Sequence, residues 1–335
     1  MLRYPADVRT LSFVLGYYGL LIAEWHLIPV HSFLVVPFVI LTAVLSFICA
    51  VITHNTLHCP VFKERYLNRA FQIALTCSYG FPVSEYVPGH NLSHHKHTQK
   101  RADLMRTSKA RFTRWNILNL LVFFPRVGGD IFLQNHRYIG IVKRALPAWY
   151  HQLVLEMVFC WGEKVLLILL DWRRALLFVF LPHLFAVYAI TTVNFLQHDG
   201  ADADHRYNHS RNFVGRIFNW FTFNNGFHGI HHDHPGLHWS LTAAAHAREI
   251  HGHIDPRLEQ RSLLLYMFSA FIYPGTRRYY DGQELAPPAA GRDEEWIPHS
   301  LQSAYADLGA VGAPPSRTRY FARALSGSTP RSPDT

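Results

Sequence analysis

Between Phe33 and Thr53 the chain reads FLVVPFVILTAVLSFICAVIT, a run with no acid, no Lys or Arg and no His. A bilayer core of about 30 Å accepts such a run as one helix of about 20 residues. In hydrocarbon every backbone polar group must be bonded within the chain, which restricts the run to a helix. Three further runs resemble it. Residues 10–27 (TLSFVLGYYGLLIAEWHL) pair with it, and residues 150–170 and 175–197 form a second pair around Asp171-Trp172-Arg173-Arg174. The first run is shorter and carries Glu24, and the third is interrupted by Glu156, Glu163 and Lys164. Glu163 and Lys164 are adjacent, so they cannot face each other along a helix, and a charge at bilayer depth has to turn toward protein. The expected fold is all-α and integral to a membrane, with four transmembrane helices in two hairpins and a cytoplasmic helical cap carrying the histidine clusters.

Basic residues set the expected orientation. Arg3, Arg9, Lys63, Arg65, Arg69, Arg137, Lys143, Arg144, Arg206, Arg211 and Arg216 flank the ends that would be cytoplasmic. The opposite tips hold only Arg173 and Arg174. MLRYPADVRT leads into an apolar run without a small-residue cleavage site and reads as an uncleaved anchor. The membrane domain is expected over 1–280. Within it, 66–83, 115–125 and 262–274 are apolar but too short or too interrupted to span, and suit helices at the interface. Residues 281–335 are rich in Pro, Gly, Ser and charge and read as a disordered tail.

The chain has 335 residues, 49% of them hydrophobic, together with 32 Lys+Arg and 23 Asp+Glu. That mixture of very apolar and very polar stretches fits a membrane protein better than a soluble one. The formal charge of +9 comes without a basic helix or an aromatic-interleaved basic stripe. Nucleic acid is therefore not an expected partner, and anionic lipid headgroups are. Cys49, Cys59, Cys77 and Cys160 show no CxxC pairing, which argues against a disulfide scaffold and a cysteine zinc site.

Nine of the 23 histidines have metal-ligand spacing. His54 and His58 lie in HNTLH, His90, His94 and His95 in HNLSHH, and His228, His231 and His232 in HGIHH; His198 ends NFLQH. Imidazole is a ligand for first-row transition metals. Nine nitrogens exceed what one tetrahedral ion uses and point to two ions. Residues four apart share a helix face, so His54/His58 and Asn194/His198 each read as a spanning helix carrying two polar side chains past the membrane. His228, His231 and His232 fit one face, while His90, His94 and His95 spread wider and suit ligation of both ions. Asp199, Asp233 and Glu85 are the acids placed to orient the rings. The other fourteen histidines read as interfacial or surface residues, with His97, His234 and His238 closest to the boxes. His205, His209, Asp202 and Asp204 read as a polar loop.

These motifs resemble the membrane fatty acid desaturase family, integral-membrane di-iron enzymes with three histidine boxes. HNTLH, HNLSHH and HGIHH match its box patterns at comparable intervals, and Asn194 to His198 is similar to an NxxxH element of its acyl-CoA branch. The resemblance covers roughly residues 8–275. It implies two iron ions held by the nine histidines, with Asn194 acting through a water and O₂ as co-substrate. It further implies hydrogen removal from two adjacent methylenes of a chain carried as acyl-lipid, acyl-CoA or acyl-carrier-protein. A tunnel between the spans would set the position of the double bond, and electrons would come from a ferredoxin or a b-type cytochrome. His234-Pro235-Gly236 is similar to a haem-binding turn of that cytochrome, but no cytochrome-sized domain surrounds it, and it reads as a turn after the third box. A hydroxylase or ketolase on the same scaffold is the competing reading. A non-catalytic zinc transporter or sensor is the remote one, because its ligands would lie within the spans.

Overall fold

The computed structural model describes residues 1–286 and 291–297. They are mostly helical, and their strands are two residues each: Asn212–Phe213 runs parallel to Glu259–Gln260. Three helical stretches among the described residues are long and apolar enough to cross a membrane: Val35–His58, Ile117–Val142 and the continuous run Pro147–His198. The expected span at 33–53 corresponds to the first of these, which begins two residues later and runs five residues further.

The expected spans at 150–170 and 175–197 appear as that one long run, broken at Asp171 (φ −160°, ψ 100°). The Asp171 carboxylate accepts from the backbone N–H groups of Arg173 and Arg174 at 3.0 and 3.2 Å, capping the helix that follows. Arg174 then donates to the carbonyls of Glu24 and Ile28, at 3.1 and 2.9 Å, closing the end of the N-terminal helix Asp7–Leu27. The charges that interrupt the third run turn inward. Lys164 is buried and donates to the Gly80 carbonyl at 2.9 Å, and Glu156 accepts from Ser84 N at 2.7 Å and Gln152 Nε2 at 3.0 Å.

Two expected elements differ in detail. The run at 10–27 is a helix, Asp7–Leu27, but it is not among the three long apolar ones. Asp7, Arg9, Glu24 and His26, with two glycines and two tyrosines, dilute its apolar character. Residues 115–125, expected to be too short, instead open the helix Ile117–Val142, which continues through Pro125. Its buried stripe of Leu120, Phe123, Val127, Tyr138 and Val142 holds the helix together where Pro125, Gly128 and Gly129 break the local pattern. A third difference lies in the tail. Gly291–Ile297 is placed, with Trp296 buried at 3% exposure against Tyr138; the rest of the expected disordered segment after 286 lies outside the described residues.

The first helix is bolted to the segment after the third histidine box. Asp7 is buried, and its carboxylate accepts from His238 Nε2 at 3.2 Å and Trp239 Nε1 at 3.1 Å. The Arg9 guanidinium lies over Trp239 and Phe223, 4.5 and 4.6 Å from their ring centres. The sequence PGLHWS thus joins the start of the chain to the site. His183 donates to or accepts from Tyr17 at 2.8 Å and fills the space beside Gly80.

Gly80 has φ +94°, and a Cβ there would lie 2.3 Å from the His183 ring. Gly80→Ala is expected to destabilise the detergent-solubilised protein by about 3 kcal/mol, combining left-handed strain and overpacking. Gly19→Ala, with open space around it, is expected to change stability by less than about 1 kcal/mol. Thermal unfolding of both variants checks the difference.

Candidate metal centre

Four chain segments deliver the nine histidines. His54 and His58 end the Val35–His58 helix, one turn apart, and His198 ends the Leu181–His198 helix. Box two does not form an ordinary helix. Pro88–His94 is wound as π turns, passing at His95 into a short α turn. A π turn brings residues five apart into register, and the His90 and His95 Nε2 atoms accordingly stand 3.1 Å apart. The wider spread expected for this box has that backbone cause. Box three is the short helix His228–Asp233, held by a hydrogen bond from Gly229 N to Asn212 Oδ1 at 2.9 Å.

The nine rings fall into two groups able to hold a metal ion. His54, His58, His90, His95 and His231 make the first; His94, His198, His228 and His232 make the second. Boxes two and three therefore each contribute to both groups. The groups adjoin, with His95 of the first stacked on His232 of the second at a centroid distance of 4.5 Å. Asn194 lies one turn before His198, buried, and its Nδ2 has no hydrogen-bond partner.

The nitrogen spacing is informative. In the second group the Nε2 atoms of His198, His228 and His232 form a triangle with edges of 2.9, 3.1 and 3.1 Å. A neutral imidazole nitrogen is either a donor or an acceptor. In a triangle at least one edge therefore pairs like with like, so hydrogen bonding cannot account for it. Nitrogens bound cis at about 90° to one ion, with bonds of about 2.1 Å, lie about 3.0 Å apart, whereas a tetrahedral angle gives about 3.4 Å. The donor set thus fits a first-row ion of higher coordination number. Burial, and then repulsion between neighbouring imidazoles, holds His90, His95, His228, His231 and His232 well below the ordinary imidazole value. They are neutral, which is the ligating form.

The partners of the opposite ring nitrogens depart from expectation. His94 donates from Nδ1 to Asp103 Oδ2 at 2.9 Å, leaving its Nε2 buried and unpartnered. Asp103 is itself held by the N–H groups of Gln99 and Met105. His198 Nδ1 is 3.3 Å from the His209 carbonyl, and His54 Nδ1 is 3.1 Å from Asn55 Oδ1. Asp199, expected to orient a ring, is taken by Arg277. Asp233 faces His209 at 3.6 Å, and the Glu85 carbonyl accepts from Asn135. Asp103 belongs to no motif; it lies in the loop after box two, nine residues beyond His94.

A third group, His246, His251 and Glu259, was not singled out in the sequence. Its contacts are 2.7 Å from His246 Nε2 and 2.8 Å from His251 Nδ1 to the Glu259 carboxylate. Donor meets acceptor in both, so ordinary hydrogen bonds suffice. His205, His209, Asp202 and Asp204 form no metal group among the described residues. His234 pairs with Glu249 at 2.9 Å, and its N–H bonds the Ile230 carbonyl, the arrangement of a turn. An apolar groove of about 530 Å³ lies between Leu21, Trp25, Phe159 and Leu166, and none of the nine histidines lines it.

No curated protein and no solved structure matches the chain. The family model described as fatty acid desaturase matches residues 9–260 and so contains all nine histidines. With its apolar helices and two histidine groups, this chain belongs to the fatty acid desaturase family, and is by that membership an integral-membrane protein of an oxidoreductase family.

Proposed function

We propose that the protein is an O₂-dependent di-iron desaturase that introduces a double bond into a fatty acyl chain. One observation carries this reading: nine histidines drawn from four segments, six of them buried and three partly buried, divide into groups of five and four where two apolar helices end. His54, His58, His90, His95 and His231 would hold one iron, and His94, His198, His228 and His232 the other. Asn194 would reach the second through a water, in keeping with its unpartnered Nδ2. Bound iron supplies the O₂ chemistry that breaks C–H bonds too weakly acidic for a protein base.

The chain's own contribution is placement. Asp103 fixes the tautomer of His94, so that Nε2 carries the lone pair, and the His209 carbonyl does the same for His198. The apolar helices hold an acyl chain out of water beside the two groups. We read the fold as four spans in two hairpins. In support, the Asp171 corner meets the end of the first helix through Arg174, whereas the histidines lie at the opposite ends of the second and last spans. The basic flanks support a site facing the cytoplasm, in a bacterial inner membrane or the endoplasmic reticulum. The acyl carrier is a lipid, CoA or carrier protein, and the electron donor is a separate ferredoxin or b-type cytochrome.

Expression in a host of known lipid composition, followed by mass spectrometry of the acyl chains, tests the reaction. Loss of two hydrogens is the expected result; gain of one oxygen would make the protein a hydroxylase. His94→Ala and His231→Ala are each expected to abolish the new product while the protein still accumulates in the membrane, checked by immunoblot of the membrane fraction. Asp103→Asn keeps the ligand set and is expected to weaken metal retention by about 10- to 100-fold, measured by chelator competition.

A further inference from the structure

The family match ends at residue 260, yet two segments beyond it grip the second histidine group. Arg277 is fully buried. Its Nε donates to the carboxylate of Asp199, the residue after His198, at 2.9 Å. The same guanidinium donates to the carbonyls of Thr107 and Ala110, at 3.0 and 2.8 Å, in the loop that follows box two. Gly291–Ile297 holds that loop from another side. Asp293 pairs with Arg106, and with Lys109 at 3.1 Å. Arg106 donates in turn to the carbonyls of Arg101 and Asp103, at 3.1 and 3.3 Å, and Asp103 carries His94.

The segment is itself anchored. Glu294 N bonds the Arg101 carbonyl at 3.2 Å, Glu295 pairs with Arg137 at 2.6 Å, and Trp296 stacks on Tyr138. Ile297 is buried beside it. Both grips converge on the four-histidine group: one reaches His198 through Asp199, the other reaches His94 through Asp103.

We propose that Arg277 and Gly291–Ile297 form a clasp that positions His94 and His198, so that the ion of the four-histidine group depends on it more than the ion of the five-histidine group does. This rests on the two-iron reading above. Asp293 and Trp296 are positioning residues, remote from the ions and acting through the box-two loop.

The test uses full-length protein purified from iron-replete cells and challenged with a chelator, iron per chain being followed over time. In Asp293→Asn and in Trp296→Ala, one of the two ions is expected to leave about 10-fold faster than in the wild type, the other at the wild-type rate. Asp293→Glu is expected to restore slow release. Unchanged release in both variants, or equal acceleration for both ions, overturns the clasp. A second arm needs no variant. Coupling between clasp and metal is reciprocal, so amides of residues 101–109 and 291–297 in the wild type are expected to exchange hydrogen more slowly with iron bound than after its removal. Equal exchange overturns the proposal even if the variants do not fold. A wild-type protein that takes up no pair of irons would sink the two-iron reading instead, which separates the two failures.

Discussion

Everything at this site depends on the cost of packing imidazoles where water cannot reach them. A buried polar nitrogen without a partner costs on the order of 1–3 kcal/mol. Here His58 Nε2, His90 Nδ1, His94 Nε2, His95 Nδ1 and His228 Nδ1 are all buried and unpartnered. Around them other imidazole nitrogens face one another at about the contact distance of a hydrogen bond, in an arrangement that hydrogen bonding cannot fully satisfy. A fold keeps such a cluster when a cation offsets the cost. The helices, the π turn and the loop after box two are the scaffold that brings these nitrogens together.

That scaffold was partly legible in the residues. HNTLH and the Asn194–His198 pair follow the i, i+4 rule, and both are found at helix ends. The Phe33–Thr53 run is a helix because nothing else suits so apolar a stretch. Box two resisted the same rule, since its spacing belongs to a π turn, and periodicity read at 3.6 residues gives no sign of one. Ile117–Val142 was missed because Pro125, Gly128 and Gly129 break a local pattern that tertiary packing overrides.

The supporting residues were the least legible. Asp103 and Arg277 are single charged residues in polar stretches, and their partners lie 9 and 78 residues away in the chain. Trp296 sits in a segment whose Gly, Pro and charge content reads as disorder, although its own indole is buried. Composition averages over a window, while docking depends on one or two side chains. A ligand is named by a motif; the residue that aims it depends on where the backbone folds back.

The bond between Asp7 and the His238–Trp239 pair has a consequence for assembly. The two partners are separated by 231 residues for His238 and 232 for Trp239. During synthesis the first helix leaves the ribosome early, with its carboxylate lacking both donors until the segment beyond the third box has emerged. That bond therefore forms late, after the helices between its two ends have been translated.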